Sequence, residues 1–267
     1  MQLPALHIGD LIAKIPIIQG GMGVGISLSG LASAVANEGG IGVIAAAMIG
    51  MGEPDIGSNP LDANIRALKN EIRKARALTK GLLGVNIMVA LTHFSTLVIA
   101  AIEEGIDFIF SGAGLPLDLP KYLGRRSKPK LVPIVSSGRA AEVLCKKWAR
   151  LSHLPDAFVV EGPMAGGHLG FKPEQITDPE YRLEKLIPEV VEVVNGFAKQ
   201  AGKKISVIAA GGIYFGDDIA RILELNASGV QMGTRFVTTH ECDASAEFKQ
   251  AYLDATKGDI RIIKSPV

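Results

Sequence analysis

Val159-Val160-Glu161-Gly162-Pro163-Met164-Ala165-Gly166-Gly167-His168-Leu169-Gly170 is the stretch on which the reading of this chain turns. The apolar run from Ala157 to Val160 reads as a buried strand, and it breaks directly into a glycine-rich loop. Small residues in such a loop let backbone N–H groups approach a ligand closely. His168 stands just beyond them, in a place suited to moving a proton.

Working outward, the same unit recurs. Upstream, Ile15 to Gln19, Ile41 to Ala46, Leu82 to Met88, Ile106 to Phe110 and Leu131 to Val135 are short apolar runs. Downstream come Ile205 to Ala209 and Ser228 to Met232. Between them lie segments with helical spacing: Leu28 to Asn37, the basic amphipathic Leu61 to Thr79, Phe94 to Glu104, Arg139 to Leu151, Leu183 to Gln200, Gly216 to Leu225 and Ala244 to Ala255. Ser27 or Ser29 is a candidate cap for the first helix. Counted this way the chain holds eight strand–helix units, with small residues after most strands. Strict alternation implies parallel strands and right-handed crossovers. An open doubly wound sheet competes, but eight units with glycine loops at both the first and last strands favour closure. The expected fold is α/β, a single (β/α)8 TIM-barrel domain over residues 1–267, with a polar insert at about 171–182 and an extended tail from Asp259 to Val267.

Composition agrees and excludes other classes. The 267 residues are 48% hydrophobic and 21% charged, the profile of an ordinary globular chain. A length near ~250 residues is usual for one such barrel. The net charge of +1 gives no electrostatic footprint for nucleic acid or an anionic membrane. Cys145 and Cys242 sit in no metal spacing and read as buried free thiols. With neither a leader nor a transmembrane-length apolar span in this sequence, a cytoplasmic location is the default expectation.

In a β/α barrel the C-terminal strand ends form the active face, and phosphate sites favour the loops after the seventh and eighth strands. Here those loops are Ala209-Ala210-Gly211-Gly212-Ile213 and Gln231-Met232-Gly233-Thr234-Arg235. Glycine N–H groups and the Thr234 hydroxyl suit phosphate oxygens, although glycine also merely permits a tight turn. Gln19-Gly20-Gly21-Met22 ends the first strand, and Asn86 ends the third. An amide there can meet the edge of a heterocycle or tie down a loop. Glu161, on the same face by register, is a candidate for a ribityl hydroxyl or a solvated carboxylate. His168 is the candidate acid or base. His93 also follows a strand at the right face and is a minor candidate, while His7, His153 and His240 are placed elsewhere. No serine-hydrolase order, GxSxG, HExxH or GxGxxG is present.

Together these motifs resemble the nitronate monooxygenase family, formerly the 2-nitropropane dioxygenases, and its relative the flavin-dependent enoyl-acyl-carrier-protein reductase. The resemblance rests on Gln19-Gly20-Gly21-Met22-Gly23, Gly39-Gly40-Ile41-Gly42, Gly84-Val85-Asn86, Ala165-Gly166-Gly167-His168, Ala209 to Ile213 and Gln231 to Phe236, in order over nearly the whole chain. It implies FMN bound non-covalently by Gln19, Gly20, Gly21, Met22, Asn86, Glu161, Gly166, Gly167, Gly211, Gly212, Gln231, Met232, Gly233 and Thr234, with His168 catalytic and no metal. Glu161 stands where many members carry glutamine, and members usually continue past this chain's last residue. The implied activity is oxidation of alkyl nitronates by molecular oxygen to a carbonyl compound and nitrite. The competing one is NAD(P)H-dependent reduction of an enoyl thioester. A non-catalytic flavin- or phosphate-binding barrel and a flavin-free phosphosugar isomerase share parts of the pattern. The implied partners are small molecules, and a homodimer is an allowed assembly.

Overall fold

Two short strands, β1 (Leu6–Ile8) and β2 (Leu11–Ala13), pair as an antiparallel hairpin before the main sheet begins. The chain then alternates: β3 (Ile17–Gln19), α1 (Ser29–Asn37), β4 (Ile41–Ala45), α2 (Pro60–Leu78), β5 (Leu82–Asn86), α3 (Phe94–Glu103), β6 (Phe108–Ser111) and β7 (Lys130–Val135). There follow α4 (Gly138–Ala149), β8 (Ala157–Glu161), α5 (Leu183–Ala201), β9 (Ser206–Ala210), α6 (Gly216–Glu224), β10 (Gly229–Met232), α7 (Thr234–Val237) and α8 (Ala246–Asp254). This is a computed structural model, and it describes residues 3–124 and 129–263. Strands β3 to β10 form a closed parallel barrel in which β10 pairs with β3, so the expected (β/α)8 TIM barrel is the observed fold.

Alternation along each strand separates two cores. Ile18, Val43, Phe108, Phe110, Val132, Val159 and Ile208 point inward and fill the barrel. Ile44, Val85, Ile109, Val160, Val207 and Val230 point outward against the helices. Gly84 belongs to the inward set, and a Cβ there would lie 2.6 Å from the Phe110 ring, so its absence makes room for that ring. Gly42 does the same outside, since a Cβ would lie 1.8 Å from the Ala32 carbonyl oxygen and α1 packs directly on β4.

The N-terminal hairpin closes the lower end. Leu6, Ile8 and Ala13 join the barrel's interior cluster, and the Ser206 hydroxyl donates to the His7 carbonyl at 2.6 Å. The sequence reading left this segment without structure.

Two expectations about the outer layer change. The β6–β7 connection holds a single 3-10 turn at Leu119–Tyr122 among the described residues, not a helix. Pro116 and Pro120 interrupt it by removing N–H donors, and Trp148 of α4 fills the space, fully buried with its indole N–H on the Pro116 carbonyl at 3.0 Å. The α1 N-terminus is capped by neither Ser27 nor Ser29. Asp243 instead accepts from the N–H groups of Leu28, Gly30 and Leu31 at 2.8, 3.0 and 3.1 Å, and Glu71 accepts from Ser29. Helix α8 forms near the expected place but buries none of its side chains. Among the described residues no helix is long and apolar enough to cross a membrane.

Candidate active site

The upper ends of the barrel strands carry the polar residues, and strand parity decides which of them face the mouth. On β5, Leu83 and Val85 face the helices, so Asn86 faces inward beside Gly21, whose Cβ would lie 2.6 Å from that of Asn86. On β10, Val230 and Met232 face outward, so Gln231 faces inward; its side chain lies 3.2 Å from where a Gly20 Cβ would be. On β8, Val159 lies inward and Val160 outward, so Glu161 continues the inward row. None of the three side chains makes a hydrogen bond or ion pair among the described residues. Burial alone pushes the Glu161 carboxyl up from its ordinary range to about 7.

Gln19 behaves differently and corrects the expectation for its side chain. It is fully buried, its Nε2 donates to the Gly20 carbonyl at 2.6 Å and to Ser27 Oγ at 2.9 Å, and its Oε1 accepts from Val43 N–H at 3.0 Å. Parity explains this, because Ile18 takes the inward position on β3. Met232 likewise packs in the outer core. Ser27, which does not cap a helix, accepts from the Met22 N–H at 3.0 Å. The Gly20 N–H donates to the Met232 carbonyl at 2.9 Å across the seam where the barrel closes. Gln19, Ser27 and Met232 therefore shape the first loop, and the Gly21 N–H, like those of Gly23 and Gly25, donates to no described group.

The glycine turns after β9 and β10 meet the requirement for an anion cradle. Gly211 and Gly212 have φ of +102° and +70°, conformations that favour glycine. The N–H groups of Gly211, Gly212 and Gly233 donate to no described residue. Thr234, exposed at the start of α7, leaves its hydroxyl without a hydrogen bond. Arg235 was quoted only as part of a motif. Its guanidinium lies 4.8 Å from the centre of the Tyr214 ring, which ties the two turns together and places a cation beside them.

The loop after β8 leans across the same rim. Gly211 approaches the Ala165 nitrogen and Gly212 the Met164 side chain, to 2.7 and 3.0 Å from their would-be Cβ atoms, while Gly170 reaches Ser136 beyond β7. His168 lies between these anchors, exposed and without a hydrogen-bond partner, beside Gly166 and Gly167. A cavity of about 240 Å³ lies between this loop, the β9 turn and the starts of α5 and α6, bordered by Met164, Arg182, Gly211, Gly212 and Arg221. The insert forms two 3-10 turns, Pro173–Gln175 and Pro179–Tyr181, with Phe171 and Tyr181 in edge contact at 6.0 Å. His93 begins α3, exposed, and His153 lies at the lower end beside Trp148 and Asp156. Among the described residues no cluster able to hold a metal ion occurs.

With that geometry in place, comparison with known proteins is informative. The nitronate monooxygenase family model matches residues 7–267. The chain belongs to the nitronate monooxygenase family. It is 28% identical over 292 aligned positions to a probable nitronate monooxygenase of Staphylococcus aureus, spanning 96% of this chain and 74% of that protein. It is 33% identical over 240 residues to a Mycobacterium tuberculosis protein named (3aS,4S,5R,7aS)-5-hydroxy-7a-methyl-1-oxo-octahydro-1H-indene-4-carboxyl-CoA dehydrogenase, spanning 90% of this chain and 57% of that protein. The structure of FabK from Thermotoga maritima superposes with a TM-score of 0.69 at 30% identity, covering 91% of this chain and 65% of that one. A nitroalkane oxidase from Streptomyces ansochromogenes shares the fold, with a TM-score of 0.69 at 23% identity over 91% of this chain and 71% of its own. The chain thus spans between 57% and 74% of the length of these proteins.

Proposed function

We propose that this chain forms an FMN-binding barrel that oxidises alkyl nitronates with molecular oxygen, giving a carbonyl compound and nitrite. The observation that carries the reading is the set of unsatisfied polar groups at one end of the barrel. Asn86, Glu161 and Gln231 face inward with no protein partner, next to glycine N–H groups with none. These side chains stay within reach of solvent, and they converge with the glycine N–H groups on one opening, an arrangement that fits a ligand with a phosphate, a hydroxylated chain and a hydrogen-bonding ring. Gly211, Gly212, Gly233 and Thr234 suit the phosphate, and Arg235 adds charge nearby. Asn86, Glu161 and Gln231 suit the remainder, with Gly20, Gly21 and Met22 lining the mouth by their backbone. When bound, FMN supplies the redox chemistry.

The protein's own contribution is orientation and proton control. His168, as imidazolium, stabilises a bound nitronate anion; as neutral imidazole it takes the proton of a nitroalkane. Gly166 and Gly167 keep the approach to it open, since a Cβ at either would meet nothing within 4 Å. Family membership and the likeness to a probable nitronate monooxygenase support this reading over a flavin-free barrel. The enoyl-thioester reductase uses the same barrel and is the reading the experiment must separate.

Purified protein should carry flavin absorbance and consume oxygen on addition of a nitronate. His168→Asn should retain flavin and lose turnover by ~100-fold or more, the usual scale for a general acid–base. A colourless protein would refute the cofactor, and full activity in His168→Asn would refute the role of the imidazole. Rapid bleaching of the flavin by NADH under anaerobic conditions, without nitronate-dependent oxygen uptake, would replace the oxidase with the reductase.

A further inference from the structure

We propose that Glu161 makes cofactor binding a proton-linked event: the carboxyl is neutral when FMN is seated and donates a hydrogen bond to it, so that binding takes up one proton from solvent. The inference rests on the flavin reading above and goes beyond it, because it assigns a protonation state and a pH dependence to the site.

The geometry begins with the strand. Glu161 closes an inward row whose other members are Ala157 and Val159, and its register partner on β9 is Ala210, also inward and apolar. No N–H, hydroxyl or cation of a described residue reaches the carboxyl. The charged neighbours on every packed element look elsewhere. On β7 the only ionisable side chain is Lys130, which pairs with Asp10 at the lower end. β9 has none. On α5, outside the barrel, Glu184 pairs with Arg221, Lys185 pairs with Glu180, Glu189 accepts from the Gly138 N–H at 3.0 Å, and Glu192 and Lys199 are exposed. Arg182 precedes α5, is exposed, and borders the cavity that Gly162 and Gly211 also line, with no ion pair to Glu161. Across the mouth, Asn86 and Gln231 are neutral. In its own loop His168 is exposed, as are Lys172 and Glu174 of the insert.

Glu161 is half-buried, and a carboxylate so placed loses part of its water without gaining a donor, which shifts the balance toward the neutral acid. The carboxyl is accordingly held up at about 7 by burial, with no neighbouring charge contributing. Seating a ligand in the mouth removes the remaining water and pushes in the same direction. The neutral acid offers one O–H donor and one carbonyl acceptor, the pair a glutamine would present, which gives the isosteric variant its meaning.

The test is an FMN titration of flavin-free protein, followed by quenching of flavin fluorescence across about pH 6 to 8.5. If the neutral form alone binds, affinity should fall ~tenfold between about pH 6 and pH 8. Glu161→Gln should bind FMN over the same range with a flat profile, near the wild-type affinity at the acid end. His168→Asn should keep the wild-type slope. A flat wild-type profile, or a Glu161→Gln profile that keeps the slope, overturns the proposal. Should Glu161→Gln not fold, calorimetry of the wild type in two buffers of different ionisation enthalpy decides. Uptake close to one proton per FMN at about pH 8 sustains the proposal, and no uptake or release overturns it. Binding without proton linkage defeats this inference alone, whereas absence of FMN binding at every pH defeats the flavin reading with it.

Discussion

Replacing Asp243 should loosen the barrel at the place where its two ends meet. The carboxylate accepts from three consecutive-turn N–H groups, those of Leu28, Gly30 and Leu31, and so holds the segment after β10 onto the start of α1. Losing a helix cap costs ~0.5–2 kcal/mol, and hydrogen bonds to a charged group contribute ~1.5–3 kcal/mol each. These bonds are only partly buried, so water will satisfy some of the released donors, and the contributions do not add in full. Asp243→Ala should therefore cost about 2–3 kcal/mol, with Asp243→Asn, which keeps an acceptor oxygen but no charge, at about half that. For a chain of this size the alanine variant should melt roughly 5–10 °C lower. Guanidinium denaturation followed by far-ultraviolet circular dichroism would measure it, with an unchanged denaturant slope showing that only stability moved. Since the loop before α1 lines the mouth, FMN should also bind more weakly. A loss below ~0.5 kcal/mol in Asp243→Ala would refute the reasoning, for it would mean that water caps α1 as well as the carboxylate does.

Two further outcomes follow from the same coordinates. Between its ordinary value near 4.5 and about 7, the Glu161 carboxyl holds a proton in the folded chain that the unfolded chain has released. The stability this represents is fully present below about pH 4.5 and is lost as pH rises through about 7, up to ~3 kcal/mol by pH 8. Flavin-free Glu161→Gln should escape that loss and unfold at higher denaturant than wild type at pH 8, with the two alike near pH 4.5; equal midpoints at pH 8 would contradict it. Separately, Gly42→Ala should cost ~3 kcal/mol or more because its methyl group meets the α1 backbone, while Gly52→Ala, where a Cβ meets nothing within 4 Å, should cost ~0.5 kcal/mol or less. Similar losses in both would mean that α1 shifts freely on β4.

The barrel was legible because its signal is repeated. Eight apolar runs separated by helical spacing and ending in small residues leave few alternatives, and β8 begins where the sequence places it, at Ala157, and ends one residue past the apolar run, at Glu161. What escaped depended on distance or on silence in the pattern. Asp243 caps a helix more than two hundred residues upstream, and no local motif announces a cap supplied from that far. The hairpin Leu6–Ile8 with Leu11–Ala13 is too short for periodicity to declare it, yet its apolar side chains seal the lower end of the barrel. The last helical segment was legible as a helix, but not that it would leave Phe248, Tyr252 and Leu253 exposed.

The site turned on something subtler, the parity of side chains at the strand ends. Gln19 and Gln231 lie on paired strands near the glycine turns, Gln19 at the last position of its strand and Gln231 at the last but one. In the observed register Gln231 sits opposite Ile18, whereas Gln19 sits opposite Met232. A shift of one residue sends every side chain to the other face, so the first pair looks into the mouth and the second away from it. Ile15-Pro16-Ile17-Ile18 is apolar at every strand position but the proline, which leaves composition unable to say which residue faces in. Once the register is known, two glutamines of identical chemistry take different work. Gln19, with its amide wholly engaged by Gly20, Ser27 and Val43, fixes the loop. Gln231, with its amide unengaged, remains to meet a ligand. The same parity turns Asn86 and Glu161 toward Gln231, and their common lack of partners is what supports reading the upper end of this barrel as the proposed site.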